Sequence, residues 1–351
     1  MGLQLKKLSA KSHLKSSFLD VLEGRLPSRT PVWLMRQAGR FLPEYQALKK
    51  EYSMHQLFYE KKLIKQITKM PLKRFDVDAA IIFSDILLPL EALGAKIILE
   101  HQKAPKVVRP KDITIDQLVP CQELFSFVYE SIDELKKEIS VPLIGFTGGP
   151  LTLLSYLFPE KKDNGEFYGL KKWHLENPEE LNMILELITH IVIDHLKMQI
   201  QAGCEVVQIF DSWAGRFSKE MFEAYSLIPI TKICQAIESL NVPVIYFSRN
   251  LGAHEKIFKA PCRGISIDQS MDFKGAFKYK KVIQGSFDPA LLLTNKKIID
   301  QEVSKVMGSY QSDRWIANLG HGVLPETPIE NVEAFIEAIH NLPSSTWGHG
   351  T

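Results

Sequence analysis

Residues 177–210 read NPEELNMILELITHIVIDHLKMQIQAGCEVVQIF, and this stretch holds one complete helix-then-strand unit. Asn177 is a capping residue type. Pro178 follows at the first helical position, where its missing N–H costs nothing, and Glu179 and Glu180 face the positive end of the helix dipole. Leu181, Ile184, Leu185, Ile188, Ile191, Val192 and Leu196 then recur at helical spacing, and Gly203 can end the helix. The run Val206–Phe210 that follows is short and largely apolar, the pattern of a strand covered on both faces.

The same two patterns recur along the chain. Further strand-like runs lie at Val32–Met35, Ala79–Phe83, Pro142–Gly145, Val244–Phe247, Gly264–Ile267, Val282–Gly285 and Trp315–Asn318, which makes eight with Val206–Phe210. Helical patterns fill most of the gaps. Asp288-Pro289 is a second start of the Asn177-Pro178 type, and Thr327-Pro328-Ile329-Glu330 has the spacing of a capping box. Length alone, 351 residues, favours two domains. Strand–helix alternation repeated eight times with no Gly-, Ser- or Pro-rich linker favours instead one α/β domain over residues 1–351. The expected architecture is a single (β/α)8 TIM-type barrel, with 1–15 and 344–351 as loose termini. Two segments fit less well. Lys96–Glu100 and Lys106–Arg109 read as a small hairpin inserted after the second strand, and Pro159–Leu170 as a charged loop.

Composition removes several classes. Hydrophobic residues at 45% and charged residues at 24% exclude a disordered chain. Lys and Arg number 43 against 41 Asp and Glu, so the net charge of +2 argues against a nucleic-acid binder and makes any field aimed at a charged ligand a local one. The purely apolar runs are far below the roughly 20 residues of a membrane span. Cys121, Cys204, Cys234 and Cys262 are scattered without metal-ligand spacing and read as reduced core thiols. Lys6, Lys7, Lys11 and Lys15 precede the first acid, but a transit peptide wants arginine, and Lys6 stands where a myristoylation signal wants Ser or Thr. A cytoplasmic location is the expectation.

In such a barrel the loops after the C-terminal strand ends build the site. Here they carry Arg36-Gln37-Ala38-Gly39-Arg40, Ser84-Asp85, Gly145–Pro150 with Tyr156 beyond, Asp211-Ser212-Trp213, Ser248-Arg249-Asn250, Asp268, Phe287-Asp288 and Gly320-His321-Gly322. Two arginines around a glycine can cradle an anion, because the guanidinium fork matches carboxylate or phosphate bidentately. A pair of surface salt-bridge arginines is the plainer alternative.

The run PVWLMRQAGR at 31–40, continuing as FLPEY, closely resembles the signature of the uroporphyrinogen decarboxylase family. IIFSDIL at 81–87, GFTGGPLTLLSY at 145–156, QIFDSWAG at 208–215 and NLGHGVLPETPIENV at 318–332 resemble the same family in the same order. The resemblance covers about residues 15–342. It implies a somewhat distorted (β/α)8 barrel, usually a homodimer, that removes four acetate carboxyls from uroporphyrinogen III to give coproporphyrinogen III. It also implies no metal and no organic cofactor, which is chemically reasonable: a pyrrole protonated at the ring carbon adjacent to the one bearing the acetate is its own electron sink, so the protein need only bind, orient and manage charge.

By the same resemblance Arg36 and Arg40 hold substrate carboxylates, with Gln37, Ala38 and Gly39 in the same loop. Asp85 accepts hydrogen bonds from pyrrole N–H groups and stabilises the cation that forms. Tyr156, Ser212 and His321 contact the side arms. Lys49 stands where the family usually carries arginine, keeping the charge but not the fork. Leu151 occupies a commonly aromatic position, residues 158–165 replace a more glycine-rich stretch, and Ser286 stands where asparagine is usual.

Other residues carry less. Asp76 and Asp78 before a buried strand read as solvated loop rather than a metal pair, and His190 and His195, five apart, cannot share an ion as i, i+4 histidines do. Neither a GxGxxG nor a GxxxxGK[ST] pattern is present. Three rival functions have less support: a corrinoid- or thiol-dependent methyltransferase of the same barrel type, which would want a His-x-Cys zinc site that the sequence lacks; a non-catalytic tetrapyrrole carrier, against which the intact Arg36, Arg40, Asp85, Tyr156, Ser212 and His321 argue; and a sugar-phosphate barrel enzyme, for which GHG at 320–322 is only a thin phosphate loop.

Overall fold

The computed structural model describes residues 16–100, 104–160, 165–308 and 313–342. The expected loose termini therefore lie outside the described residues, as does 161–164 of the 158–165 loop. The strands are β1 (Ala80–Ile81), β2 (Lys96–Ile98), β3 (Lys106–Val108), β4 (Leu143–Gly148), β5 (Val206–Phe210), β6 (Val244–Phe247), β7 (Gly264–Ser266), β8 (Val282–Gln284) and β9 (Trp315–Ile316). Seven form one parallel curled sheet in the order β1-β4-β5-β6-β7-β8-β9, with registers such as Ile144↔Val206 and Val207↔Val244. β2 and β3 pair antiparallel, Ile97 opposite Val107, as the inserted hairpin.

The eighth stave differs from expectation. Val32–Met35 does not form a strand; it touches the sheet through a single bridge, Val32↔Ala317. The backbone N–H of Ala317 donates to Pro31 O (2.9 Å) on one side and that of Asp78 to Val32 O (2.8 Å) on the other, so the ring still closes through this segment. The reason it goes no further is local. Gln37 N–H donates back to Leu34 O (2.9 Å) and Gln37 Oε1 accepts from Leu34 N–H (3.1 Å), which turns the chain after one bridging residue. The result is a distorted TIM-type barrel.

Helices cover the sheet. Pro178–Ala202 spans the expected helix and stops at Gly203, whose φ of 124° favours glycine. Asn177 makes no side-chain cap there. Nor does the capping box at Thr327 form: helix Ile329–His340 has Pro328 as its cap residue, and the Thr327 hydroxyl is buried without a partner. Asp288 does cap, accepting from Ala290 N–H (2.8 Å), but the turn it starts, Pro289–Leu293, is 3₁₀; the α-helix begins at Lys296. Inside the barrel a polar chain crosses the core. Trp33 Nε1–H donates to Gln284 Oε1 (2.9 Å), and Gln284 Nε2–H donates to Gln208 Oε1 (3.0 Å) and Ser266 Oγ (2.9 Å). Both amide ends of Gln284 are thus bonded, while Gln208 Nε2 is buried without a partner. Among the described residues no helix is long and apolar enough to cross a membrane.

Candidate active site

A cleft of about 370 Å³ opens at the C-terminal ends of the strands. Its wall includes Arg36, Ala38, Gly39, Arg40, Lys49, Asp85, Tyr156, Ser212 and His321, so nine of the ten residues singled out from sequence converge on one cavity. The tenth, Gln37, does not line it. Its side chain is buried and bonded to Leu34 N–H and, through Nε2–H, to Ala79 O (3.0 Å), so it anchors the loop from behind.

The loop is built to present Arg36. Arg36 has φ 61°, left-handed backbone that a β-branched or bulky residue enters at a cost, and Gln37 holds that turn. Gly39 is required by close approach: a Cβ there would lie 2.6 Å from Arg36 O. The Arg36 side chain is open to the cleft mouth but walled on its other sides. That partial desolvation, with Arg40 second, lowers its pKa, while Asp85 opposes the shift.

Asp85 follows β1 at the cleft floor, with Oδ1 accepting from Leu87 N–H (2.8 Å). Desolvation raises its pKa to about 6; the Leu87 bond and Arg36 oppose, and Glu91 adds. Tyr156 is carried on helix Pro150–Leu157, and Ser212 lies just after β5. Asp211 ties these two together. Fully buried, it accepts from Thr152 N–H (2.7 Å) at the helix start and from Ser226 Oγ–H (2.5 Å), while Trp213 N–H donates to Thr152 Oγ1 (3.1 Å). Burial raises the Asp211 pKa to about 6. Burial with the nearby Arg36 and Arg249 lowers that of His321 to about 4, so its imidazole is neutral at pH 7. Desolvation raises Tyr156, which keeps its proton.

Three features went unassigned in the sequence. Phe146, Phe210 and Phe247, at the ends of β4, β5 and β6, form an aromatic wall, with ring centroids 5.5 Å (Phe146–Phe210) and 5.7 Å (Phe210–Phe247) apart. The Ser84 hydroxyl, on the cleft wall beside Asp85, is buried without a partner. Arg249, its guanidinium 5.9 Å from the Trp213 ring, lies close enough to shift both Arg36 and His321. All occupy strand ends, so the barrel rule was their available signal. Of the departures, Lys49 lines the cleft and Leu151 is fully buried; neither Leu151 nor Ser286 lines it.

The residues set aside are accounted for by other contacts. Arg29 bonds both Asp76 (2.7 Å) and Asp78 (2.8 Å), and His340 Nε2 lies 2.8 Å from Asp78 Oδ2, an ion-pair cluster. His195 is buried against the Tyr129 hydroxyl (2.8 Å), whereas His190 is exposed. Among the described residues no three His, Cys, Asp or Glu side chains gather as a metal-ligand set.

Comparison with known proteins points to one family. The protein from Rickettsia bellii named uroporphyrinogen decarboxylase is 38% identical over 326 residues, covering 90% of this chain and 96% of its own. Those of the same name from Carboxydothermus hydrogenoformans and Picrophilus torridus are 34% and 35% identical, covering 95% and 93% of this chain and 98% and 99% of their own. Among solved structures, a methyltransferase from Methanosarcina mazei superposes with a TM-score of 0.75 at 19% identity, over 93% of this chain and 97% of that one, which is a likeness of fold. The family model for uroporphyrinogen decarboxylase matches residues 13–342, and the chain belongs to that family.

Proposed function

We propose that this chain removes the four acetate carboxyls of uroporphyrinogen III as CO₂, leaving methyls and forming coproporphyrinogen III, with no metal or organic cofactor. The observation that carries the reading is the polarity of one cleft: Arg36, Arg40 and Lys49 line it together with a desolvated carboxylate, Asp85. A macrocycle with carboxylates at its rim and N–H donors at its centre is complementary to that arrangement. The aromatic wall of Phe146, Phe210 and Phe247 suits the flat pyrroles.

The chemistry asks little else. A proton adds to the ring carbon adjacent to the one bearing the acetate, and the C–CO₂ electron pair flows into the cationic ring as CO₂ leaves. A second proton converts the exocyclic methylene to methyl, and loss of the first proton from the ring carbon restores the pyrrole. Asp85, ionised above about pH 6, accepts pyrrole N–H bonds and stabilises the cationic ring. Arg36 positions the departing carboxylate by its fork. A guanidinium is a poor general acid at pH 7, so the proton arrives through a substrate carboxyl or water held by it. His321, neutral, offers a hydrogen bond to an arm rather than a charge. Tyr156 and Ser212 contact further arms, Ala38 and Gly39 line the carboxylate loop, and Gln37 contributes through that loop's shape. A homodimer, as the family resemblance implies, located in the cytoplasm, completes the proposal.

Anaerobic incubation with freshly reduced uroporphyrinogen III and a chelator, then oxidation and mass analysis, tests it. Stepwise loss of four CO₂ units is the expected result. An octacarboxylate that binds unchanged indicates a carrier, and one that neither binds nor reacts overturns the reading.

A further inference from the structure

The four cysteines are all free and buried, yet two of them are not alone. Cys234, on the outer helix Ile228–Ile237, and Cys262, just before β7, place their Sγ atoms 3.4 Å apart, with side chains 4% and 1% exposed. By contrast, Cys121 Sγ–H points at the Ile191 carbonyl (3.7 Å). Lys281 sits beside the pair, its Nζ donating to Ala260 O (2.7 Å) and Cys262 O (2.8 Å). A disulfide needs its sulfurs about 2.05 Å apart, so bond formation requires an approach of roughly 1.4 Å, within reach of a side-chain rotation.

We propose that Cys234 and Cys262 form a redox-active dithiol that closes to an intrachain disulfide with peroxide as the two-electron oxidant. One sulfur attacks a peroxide oxygen, giving a sulfenic acid and water. The second sulfur displaces hydroxide from the sulfenic sulfur, forming the S–S bond, and the hydroxide leaves with the remaining thiol proton as a second water. Two thiols and one H₂O₂ become one disulfide and two waters. The hydrogen bond between the thiols and burial push the Cys234 thiol up, and the Lys281 ammonium opposes them, so Lys281 assists the transient thiolate. Burial admits a small oxidant in preference to bulky reagents. Cys262 enters β7 from its N-terminal end, the face of the barrel opposite the cleft, so closure staples the fold without blocking the site.

The test uses the full chain, reduced and then exposed to hydrogen peroxide, unfolded and alkylated. Alkylatable thiols should fall from four to two, with one Cys234–Cys262 linked peptide that dithiothreitol reverses. The closed loop constrains the unfolded chain, so the oxidised protein should melt roughly 5 °C higher. Both Cys234→Ala and Cys262→Ala should lack the linked peptide and the gain in melting temperature while keeping kcat/KM within about twofold. Four alkylatable thiols after peroxide would overturn the proposal, as would a bond involving Cys121 or Cys204, or the same stabilisation in either variant.

Discussion

The side chain of Arg36 lies against Gly322 so closely that a Cβ on residue 322 would stand 2.3 Å from Arg36 Cδ and 2.6 Å from its Cγ. Two loops far apart in sequence thus share one small volume. The glycine beside His321 makes room for the arginine that faces the substrate, and that arginine is fixed from below by its left-handed backbone.

Replacing Gly322 with alanine therefore moves Arg36. Overpacking of this kind costs about 1–3 kcal/mol, here as lost positioning in an open cleft rather than as global unfolding. The expected outcome for Gly322→Ala is a fall of at least tenfold in kcat/KM with a melting temperature within a few degrees of the parent. An alanine variant with parental kcat/KM would show that Arg36 has other productive positions.

Arg36→Lys separates charge from shape. Lysine keeps the cation but loses the planar fork that holds a carboxylate bidentately. Turnover should drop by one to two orders of magnitude, while KM rises only a few fold because Arg40 and Lys49 still line the cleft. Near-normal turnover in steady-state assays would sink the bidentate argument.

Activity should rise with pH through about 6. Desolvation holds Asp85 at that value, and its ionised form is the one that accepts pyrrole N–H bonds. Asp211 has a similar value, so one variant distinguishes them. Asp211→Asn should retain the acidic limb of the kcat profile. Loss of the limb in that variant would assign it to Asp211 instead.

Stability should show the opposite dependence at Asp211. Its folded value of about 6 stands above the ordinary carboxyl value of 3.8, so folding favours the proton. The cost is absent below about pH 4, grows between 4 and 6, and is complete above 6, at about 3 kcal/mol for this fully buried group. Asp211→Asn should therefore gain stability relative to the parent as pH rises from 4 to 7 in denaturant titrations. Parallel curves would mean the carboxyl is not desolvated.

The parts of this protein legible in its sequence are those written in local pattern. β5 at Val206–Phe210 and β6 at Val244–Phe247 fall where apolar, β-branched runs put them, and the hairpin Lys96–Ile98 with Lys106–Val108 lies in its expected place. Val32–Met35 reads the same way yet forms one bridge, because the side chain of Gln37 folds back onto Leu34 and no hydrophobic pattern encodes that. The failed capping box at Thr327 is similar, since spacing alone cannot say that the hydroxyl turns inward. In the site, Arg36, Asp85 and His321 were carried by motif resemblance. Gln37 lies in the loop that the motif gives but bonds behind it to Leu34 and Ala79, because a motif gives a residue's loop and not its direction. Arg249 follows a strand in no distinctive motif, and its relation to Arg36 exists only once the barrel closes.

Arg249 accordingly supplies a prediction from structure alone. It lowers the pKa of both Arg36 and His321, which means its positive charge is felt where the substrate's carboxylates would sit, and its guanidinium rests near the Trp213 ring beside Ser212. A cation so placed assists binding of a polyanion more than it assists bond breaking. Arg249→Gln should raise KM several fold with kcat nearly unchanged. It should also flatten the decline of kcat/KM with added salt, because one fewer charge is left to screen. If kcat falls instead while KM holds, Arg249 stabilises the transition state and belongs with Arg36 in the chemistry.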